Sequence, residues 1–187
     1  MSFAETYLAE TIDIVGALDP EQIEDVVDCI ADVRDAGGRM FVLGVGGSAA
    51  TASHACNDLR KIAGIEAYAP TDNVAELTAR VNDDGWEHTL AAWLDTSRIS
   101  ESDGVLVFSV GGGSSTVSAN IVAALEVAIE VDAGVMGVVG RSGGHTAAVA
   151  DACVVIPAQY ENRVTGHTEG IALVVWHCIC NHPRLAR

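Results

Sequence analysis

Twice in this chain a short, unbroken apolar run passes directly into a glycine-rich turn and then into a stretch of helical periodicity. That repeated unit restricts the fold more than any other feature. Met40-Phe41-Val42-Leu43 leads into Gly44-Val45-Gly46-Gly47-Ser48 and an alanine-rich helix to about Ile62. Val105-Leu106-Val107-Phe108 leads into Ser109-Val110-Gly111-Gly112-Gly113-Ser114-Ser115 and a helix from about Thr116 to Ile129. A run without polar alternation reads as a strand covered on both faces. Val135 to Val139 and Cys153 to Ile156 read the same way, with Gly143-Gly144 opening a short helix between them and a weaker strand near Ile65 to Ala67. Strands that alternate with helices predict an α/β fold built on a parallel sheet.

Two helices precede the first strand. One spans Phe3 to about Ala17; Asp19-Pro20 starts the next, with an acidic N-cap and proline in the first turn, and it ends near Gly37-Gly38. Further helices are expected at Val74 to Val81, Trp86 to Leu94, and Thr168 to Cys180, the last stopped by Asn181 and Pro183. With 187 residues and no linker or low-complexity stretch, the chain reads as one domain, residues 1–187, with helices over 1–37 and the sheet-bearing core over 38–187.

Charge narrows the partners. The formal net charge of -16 repels both a nucleic-acid backbone and an anionic membrane surface, so neither is expected as a partner. Lys61 is the only lysine among ten basic residues, a carboxylate-rich bias that fits a salt-loving host and equally a GC-rich genome. A basic n-region with an apolar run behind it is missing at the start, and no apolar stretch reaches roughly 18 residues, so a soluble cytoplasmic protein is expected. Five cysteines follow no disulfide or zinc-finger spacing, and Cys29, Cys153 and Cys178 sit in apolar segments, which points to buried free thiols.

A glycine turn that opens a helix after a strand leaves backbone N–H groups and the positive end of the helix dipole free to hold an anion. Two such turns, with Ser48, Ser109, Ser114 and Ser115 at or near the helix starts, point to phosphate, because hydroxyls add donors without charge. Gly46, Gly47, Ser48, Ser109, Gly111, Gly112 and Ser114 are the expected anion-binding residues. Dinucleotide binding ranks below this: Ala49 stands where GxGxxG needs its third glycine, and neither loop ends in the GK[ST] of a Walker A motif.

His54 and Asp58 stand four residues apart on the helix after the first loop, so both project from one face. Glu169 and His177 lie eight apart on the final helix, about 12 Å of rise, too far for one ion on a straight helix. Either that helix begins after Glu169, or the two residues serve different sites, or a neighbouring subunit supplies one of them. Two carboxylates and two imidazoles suit zinc or a similar divalent ion; without a metal, their mutual repulsion suits proton transfer. Arg163 reads as a phosphate contact or a loop residue, and His167 as a cap of the last helix. His88, His145 and His182 read as structural or solvent-exposed.

In order and spacing, Gly44 to Ala50, Ser53-His54-Ala55-Cys56-Asn57-Asp58-Leu59, Val81-Asn82-Asp83-Asp84-Gly85-Trp86, Ser109 to Ser115, and Glu169 to His177 resemble the phosphoheptose isomerases of the sugar-isomerase (SIS) domain superfamily. The resemblance covers nearly the whole chain. It implies a three-layer α/β sandwich around a five-stranded parallel sheet, a homotetramer assembled partly through the N-terminal helices, and zinc at sites between subunits. It implies aldose-ketose isomerisation of a phosphorylated sugar such as sedoheptulose 7-phosphate through an enediol, with Asp58 or Glu169 as base and His177 as acid. His54, Asp58, Glu169 and His177 would be the metal ligands, and Asp83 would belong to a substrate loop. Val45 and the Ser109 to Ser114 loop depart from the family's Gly-Asn-Gly-Gly-Ser and Ser-Thr-Ser-Gly-Asn-Ser, removing hydroxyls and amides from the phosphate region. Asp58 stands where the family has glutamate, and Glu169 where it has glutamine. The chain thus resembles a divergent branch, with a non-catalytic sugar-phosphate sensor or partner-binding module as the alternative function.

Overall fold

The computed structural model describes residues 1–186. Its sheet has the order β2-β1-β3-β4-β5, and every pairing is parallel. The strands are β1 (Met40–Leu43), β2 (Ala67–Tyr68), β3 (Gly104–Ser109), β4 (Gly134–Val139) and β5 (Ala152–Val155). The helices are α1 (Phe3–Gly16), α2 (Pro20–Asp35), α3 (Gly47–Asp58), α4 (Val74–Asp84), α5 (Thr89–Thr96), α6 (Ala119–Glu130), α7 (Gly144–Val149) and α8 (Val164–Cys180). Each central strand buries both faces, which is why it carries no polar alternation. Met40, Val42, Leu106 and Phe108 face a core shared with α2, α3 and α8. Phe41, Leu43, Val105 and Val107 face a second core shared with α5 and α6. The expected three-layer sandwich is therefore present.

Strand order positions the site. From β1 the chain passes through α3 to β2 on one side, then crosses back through α4 and α5 to β3 on the other. The carboxyl ends of β1 and β3 thus diverge into connections on opposite faces, the switch point at which open α/β sheets hold ligands. Both glycine turns leave the sheet there.

The N-terminal helices form from local signals. Ser2 and Glu5 make a capping box on α1, and Asp19 caps α2 with Pro20 in its first turn. Several boundaries differ from expectation. α6 opens at Ala119, because Ser114 to Ser118 forms a separate turn in which Ser114 Oγ accepts from the amides of Thr116 and Val117. α4 continues through Asp84, so Asn82 and Asp83 lie in a helix end rather than a free loop. Among the thiols, Cys56 and Cys180 are buried; of the three expected to be buried, Cys29 and Cys153 are half-buried and Cys178 is exposed. Burial pushes the Cys56 thiol up to about 12. No helix among the described residues is long and apolar enough to cross a membrane.

α1 is tied to α8 by a polar cluster. Glu10, buried on α1, accepts from both forks of the Arg163 guanidinium and faces His167 Nε2 at 2.9 Å. Tyr7 stacks on the His167 ring at 4.2 Å between centroids. Hydrogen bonds from Arg163, opposed by burial and aided by His167, hold the Glu10 carboxyl down at about 2 from an ordinary 4.5. A carboxyl lowered by folding stabilises the native state above its unfolded pKa, and that stabilisation is lost as pH falls through the folded value. Subtracting Glu10→Gln from wild type in urea unfolding should therefore give a stability difference that is full near pH 7 and shrinks between about 4.5 and about 2. A difference independent of pH would contradict this role.

Candidate functional site

The turn after β1 ends in α3, whose N-terminus has no side-chain cap. Its first amides are therefore open to a ligand, and Ser48 sits in the first turn. The turn after β3 is held from behind by α7: the carbonyl of Gly113 accepts from the amide of His145, and that of Gly112 from the amide and hydroxyl of Thr146 at 2.9 and 2.7 Å. With its carbonyls turned to α7, the loop leaves the N–H groups of Gly111 and Gly113 without partners among the described residues. Between the two turns lies a cavity of about 500 Å³. Of the expected anion-binding residues, Ser48, Ser109, Gly111 and Ser114 line it, together with Gly113, Arg141 and Thr165, which were not among those expected.

Gly112 does not fit its expected role as an anion contact. Its N–H donates to Ser109 Oγ at 3.0 Å, its carbonyl is held by Thr146, and a Cβ there would come within 1.8 Å of the Gly143 carbonyl oxygen. It is a packing glycine that lets two loops touch. Gly46 lies outside the cavity lining and serves as the N-cap position of α3. Arg163 is a correction too: its guanidinium is engaged by Glu10, a partner 153 residues away in sequence, and it does not line the cavity. Asp83, exposed on α4 and accepting from Asn82 at 2.7 Å, does not line it either.

A second groove adjoins the first. Ser48 and Thr165 line the cavity between the turns, while their chain neighbours Gly47 and Gly166 line the groove, with Thr51, His54 and Glu169. α3 and α8 run side by side in the same direction, so Gly47 meets Glu169, His54 meets His177, and Asp58 meets Trp176 and Cys180. A Cβ on Gly47 would stand 2.6 Å from Glu169 Oε2, so glycine is what lets this carboxylate lie across the start of α3. Negative charge is favourable at that end of a helix.

Asp58 is buried, and its carboxylate is already engaged. Oδ2 accepts from the Trp176 indole at 2.9 Å and faces His54 Nε2 at 2.9 Å, while Oδ1 accepts from Asn57 at 3.0 Å. The His54 and His177 rings meet edge to face at 5.2 Å, and both are exposed. Asp58 therefore orients His54, Glu169 and His54 line the groove, and His177 lies beside His54 at its end. A π-helical turn over Leu59–Ala63 follows Asp58 directly.

Donor atoms of His54, Asp58 and His177 lie within 4.8 Å of one another, and two imidazoles with a carboxylate form a donor set suited to zinc. Glu169 is absent from that group. Because α8 runs unbroken from Val164 to Cys180, the alternative that the helix begins after Glu169 is excluded. The four expected ligands thus divide into three and one.

Comparison with known proteins places this geometry. The SIS-domain profile matches residues 6–140. The chain belongs to the SIS-domain family, in the branch that holds the phosphoheptose isomerases. It is 31% identical over 163 residues to the phosphoheptose isomerase of Aneurinibacillus thermoaerophilus, covering 84% of this chain and 78% of that protein. The lincomycin biosynthesis protein LmbN of Streptomyces lincolnensis is 30% identical over 192 residues, covering 96% of this chain and 68% of the relative. The structure of phosphoheptose isomerase from Neisseria gonorrhoeae superposes with a TM-score of 0.82 at 25% identity, over 95% of this chain and 96% of that one.

Two neighbouring glycines of the turn after β3 make opposite predictions for substitution. Gly112→Ala must displace backbone and carries a positive φ of 69°, so it should lower stability in urea unfolding by at least about 2 kcal/mol. Gly111→Ala meets nothing within 4 Å and should unfold like wild type. Equal stability of the two variants would contradict the interlocked loop.

Proposed function

We propose that the protein is an aldose-ketose isomerase of phosphorylated sugars, acting on sedoheptulose 7-phosphate or a closely related ketose phosphate. The observation that carries this reading is the adjacency of the cavity between the two turns to the groove lined by Glu169 and His54, joined at Gly47-Ser48 and Thr165-Gly166, with the His177 ring against that of His54. A phosphate held by the amides and hydroxyls of the two loops leaves the sugar chain to extend along α3 and α8. The kinship with named phosphoheptose isomerases supports the same chemistry.

Glu169 is placed to act as the base. Its carboxylate removes the proton alpha to the carbonyl; the electron pair of that C–H bond becomes the C=C of an enediol, and the carbonyl oxygen takes a proton from an imidazolium at His177 or His54. Return of the first proton to the neighbouring carbon, with the second hydroxyl giving up its own, completes the isomerisation. Each positioned acid or base contributes typically about 10² to 10⁴ in rate. Asp58 takes a positioning role instead of that of base. His54, Asp58 and His177 would hold a zinc or similar divalent ion, in which case both imidazoles are neutral ligands and the ion would supply Lewis-acid polarisation of the carbonyl in place of the imidazolium.

Assembly completes the reading. Phe3, Leu8, Ile12 and Val15 leave an apolar face of α1 exposed, and the groove is open where His54 and His177 emerge. Both features support a homotetramer built partly through the N-terminal helices, with a neighbouring copy closing each site.

Two measurements test this reading. Glu169→Gln and His177→Ala should each lower turnover of ketose phosphates by at least about 10²-fold with the unfolding midpoint retained, and chelation should lower wild-type activity until zinc is restored. Full activity in both variants would contradict the assignment, and binding without any conversion would favour the sensor reading that the altered loops at Val45 and Val110 leave open. Leu8→Glu with Ile12→Glu should yield smaller particles by light scattering and lose activity; an unchanged mass would remove α1 from the assembly.

A further inference from the structure

Resting on the isomerase reading, we infer that Arg141 is the specificity-determining residue of the phosphate site, a cation that takes over recognition from side chains this branch lacks. The cavity between the two glycine turns presents Val45 and Val110 beside its serines, and Arg141 is the only charged residue among those lining it. Most basic side chains elsewhere are engaged. Arg39 pairs with Asp103, Arg80 with Glu76, Arg163 with Glu10 and Arg184 with Asp28, while Arg34 and Arg60 donate to backbone carbonyls. Among the lysines and arginines of the described residues, only Lys61, Arg98 and Arg141 have side chains without a hydrogen-bond or ion-pair partner, and of these only Arg141 borders the cavity between the turns. A guanidinium suits phosphate because its fork donates two parallel hydrogen bonds.

The backbone agrees. Arg141 has φ +54°, as does Ser118 on the same cavity. Non-glycine residues in the left-handed region cost free energy and persist where the surroundings require them, commonly at ligand sites. Arg141 lies one residue beyond Gly140, which follows β4, at the carboxyl edge of the sheet where the two glycine turns lie. In a chain of net charge -16, an anionic substrate meets repulsion at long range, so an unpaired cation at the cavity compensates locally.

Calorimetric titration with sedoheptulose 7-phosphate and with inorganic phosphate, alongside steady-state turnover, tests this on the full chain. Arg141→Ala should weaken binding of both anions roughly 10- to 100-fold and raise KM by a similar factor with kcat nearly unchanged. Arg141→Lys should restore part of the affinity. Arg141→Gly relieves the positive φ, so it should unfold no more easily than wild type and still lose anion affinity, which separates binding from folding. In wild type, affinity should fall with added salt more steeply than in the alanine variant. Unchanged affinity and KM in Arg141→Ala, or a wild type that binds neither anion, would overturn the assignment. Phosphate binding that depends on Arg141 without any turnover would uphold Arg141 and end the isomerase reading; turnover at wild-type KM in Arg141→Ala would do the reverse.

Discussion

The crossover between β1 and β3 is the constraint on which the rest of the structure depends. Because the chain leaves these adjacent strands towards opposite faces of the sheet, their carboxyl ends open a cleft, and a turn at each end must reverse tightly into a helix. Glycine makes both turns possible. At the first, the reward is an uncapped α3 whose opening amides face the cleft. At the second, the contact of Gly112 with Gly143 fixes a loop whose carbonyls look backwards and whose remaining amides look outwards. Such a cleft offers an anion backbone dipoles, which a strongly acidic protein can supply without raising its count of basic residues.

The parallel run of α3 beside α8 then sets a row of titratable side chains next to the cleft. Both helices begin at the cleft, so each successive turn along the pair lies further from it. Glu169 comes first, over Gly47; His54 and His177 follow; Asp58 lies deepest, held by the Trp176 indole. Burial and partners separate the two carboxylates by role. Asp58 accepts from Trp176 and Asn57 and faces His54, which suits it to fix an imidazole; Glu169 is half-buried at the groove surface, which suits it to exchange a proton.

Much of this was legible in the chain because it depends on local signals. Unbroken apolar runs mark strands covered on both faces, glycine marks their carboxyl ends, and Asp19-Pro20 or Ser2 with Glu5 marks a helix start. The eight-residue spacing of Glu169 and His177 put them about 12 Å apart along one helix, and the candidate donor group contains His177 without Glu169. What escaped notice depends on partners distant in sequence. Arg163 looked available because Glu10 lies 153 residues earlier, and Asp58 looked like a base because Trp176 lies 118 residues later. Ser114 looked like a helix start because its turn imitates one, with a hydroxyl capping the amides of Thr116 and Val117 before α6 begins at Ala119. Arg141 carried a signal that went unread: a lone cation just past a strand's carboxyl end, followed by Ser142-Gly143-Gly144.

Proton exchange at carbon next to the carbonyl is the step from which the account stands or falls. The direct measurement is proton NMR of sedoheptulose 7-phosphate incubated with the protein in D₂O. Loss of the C1 proton signal as deuterium enters from solvent, with aldose phosphate forming in parallel, is the predicted result. Bound but fully protonated ketose, with no aldose after prolonged incubation with zinc supplied, would contradict it.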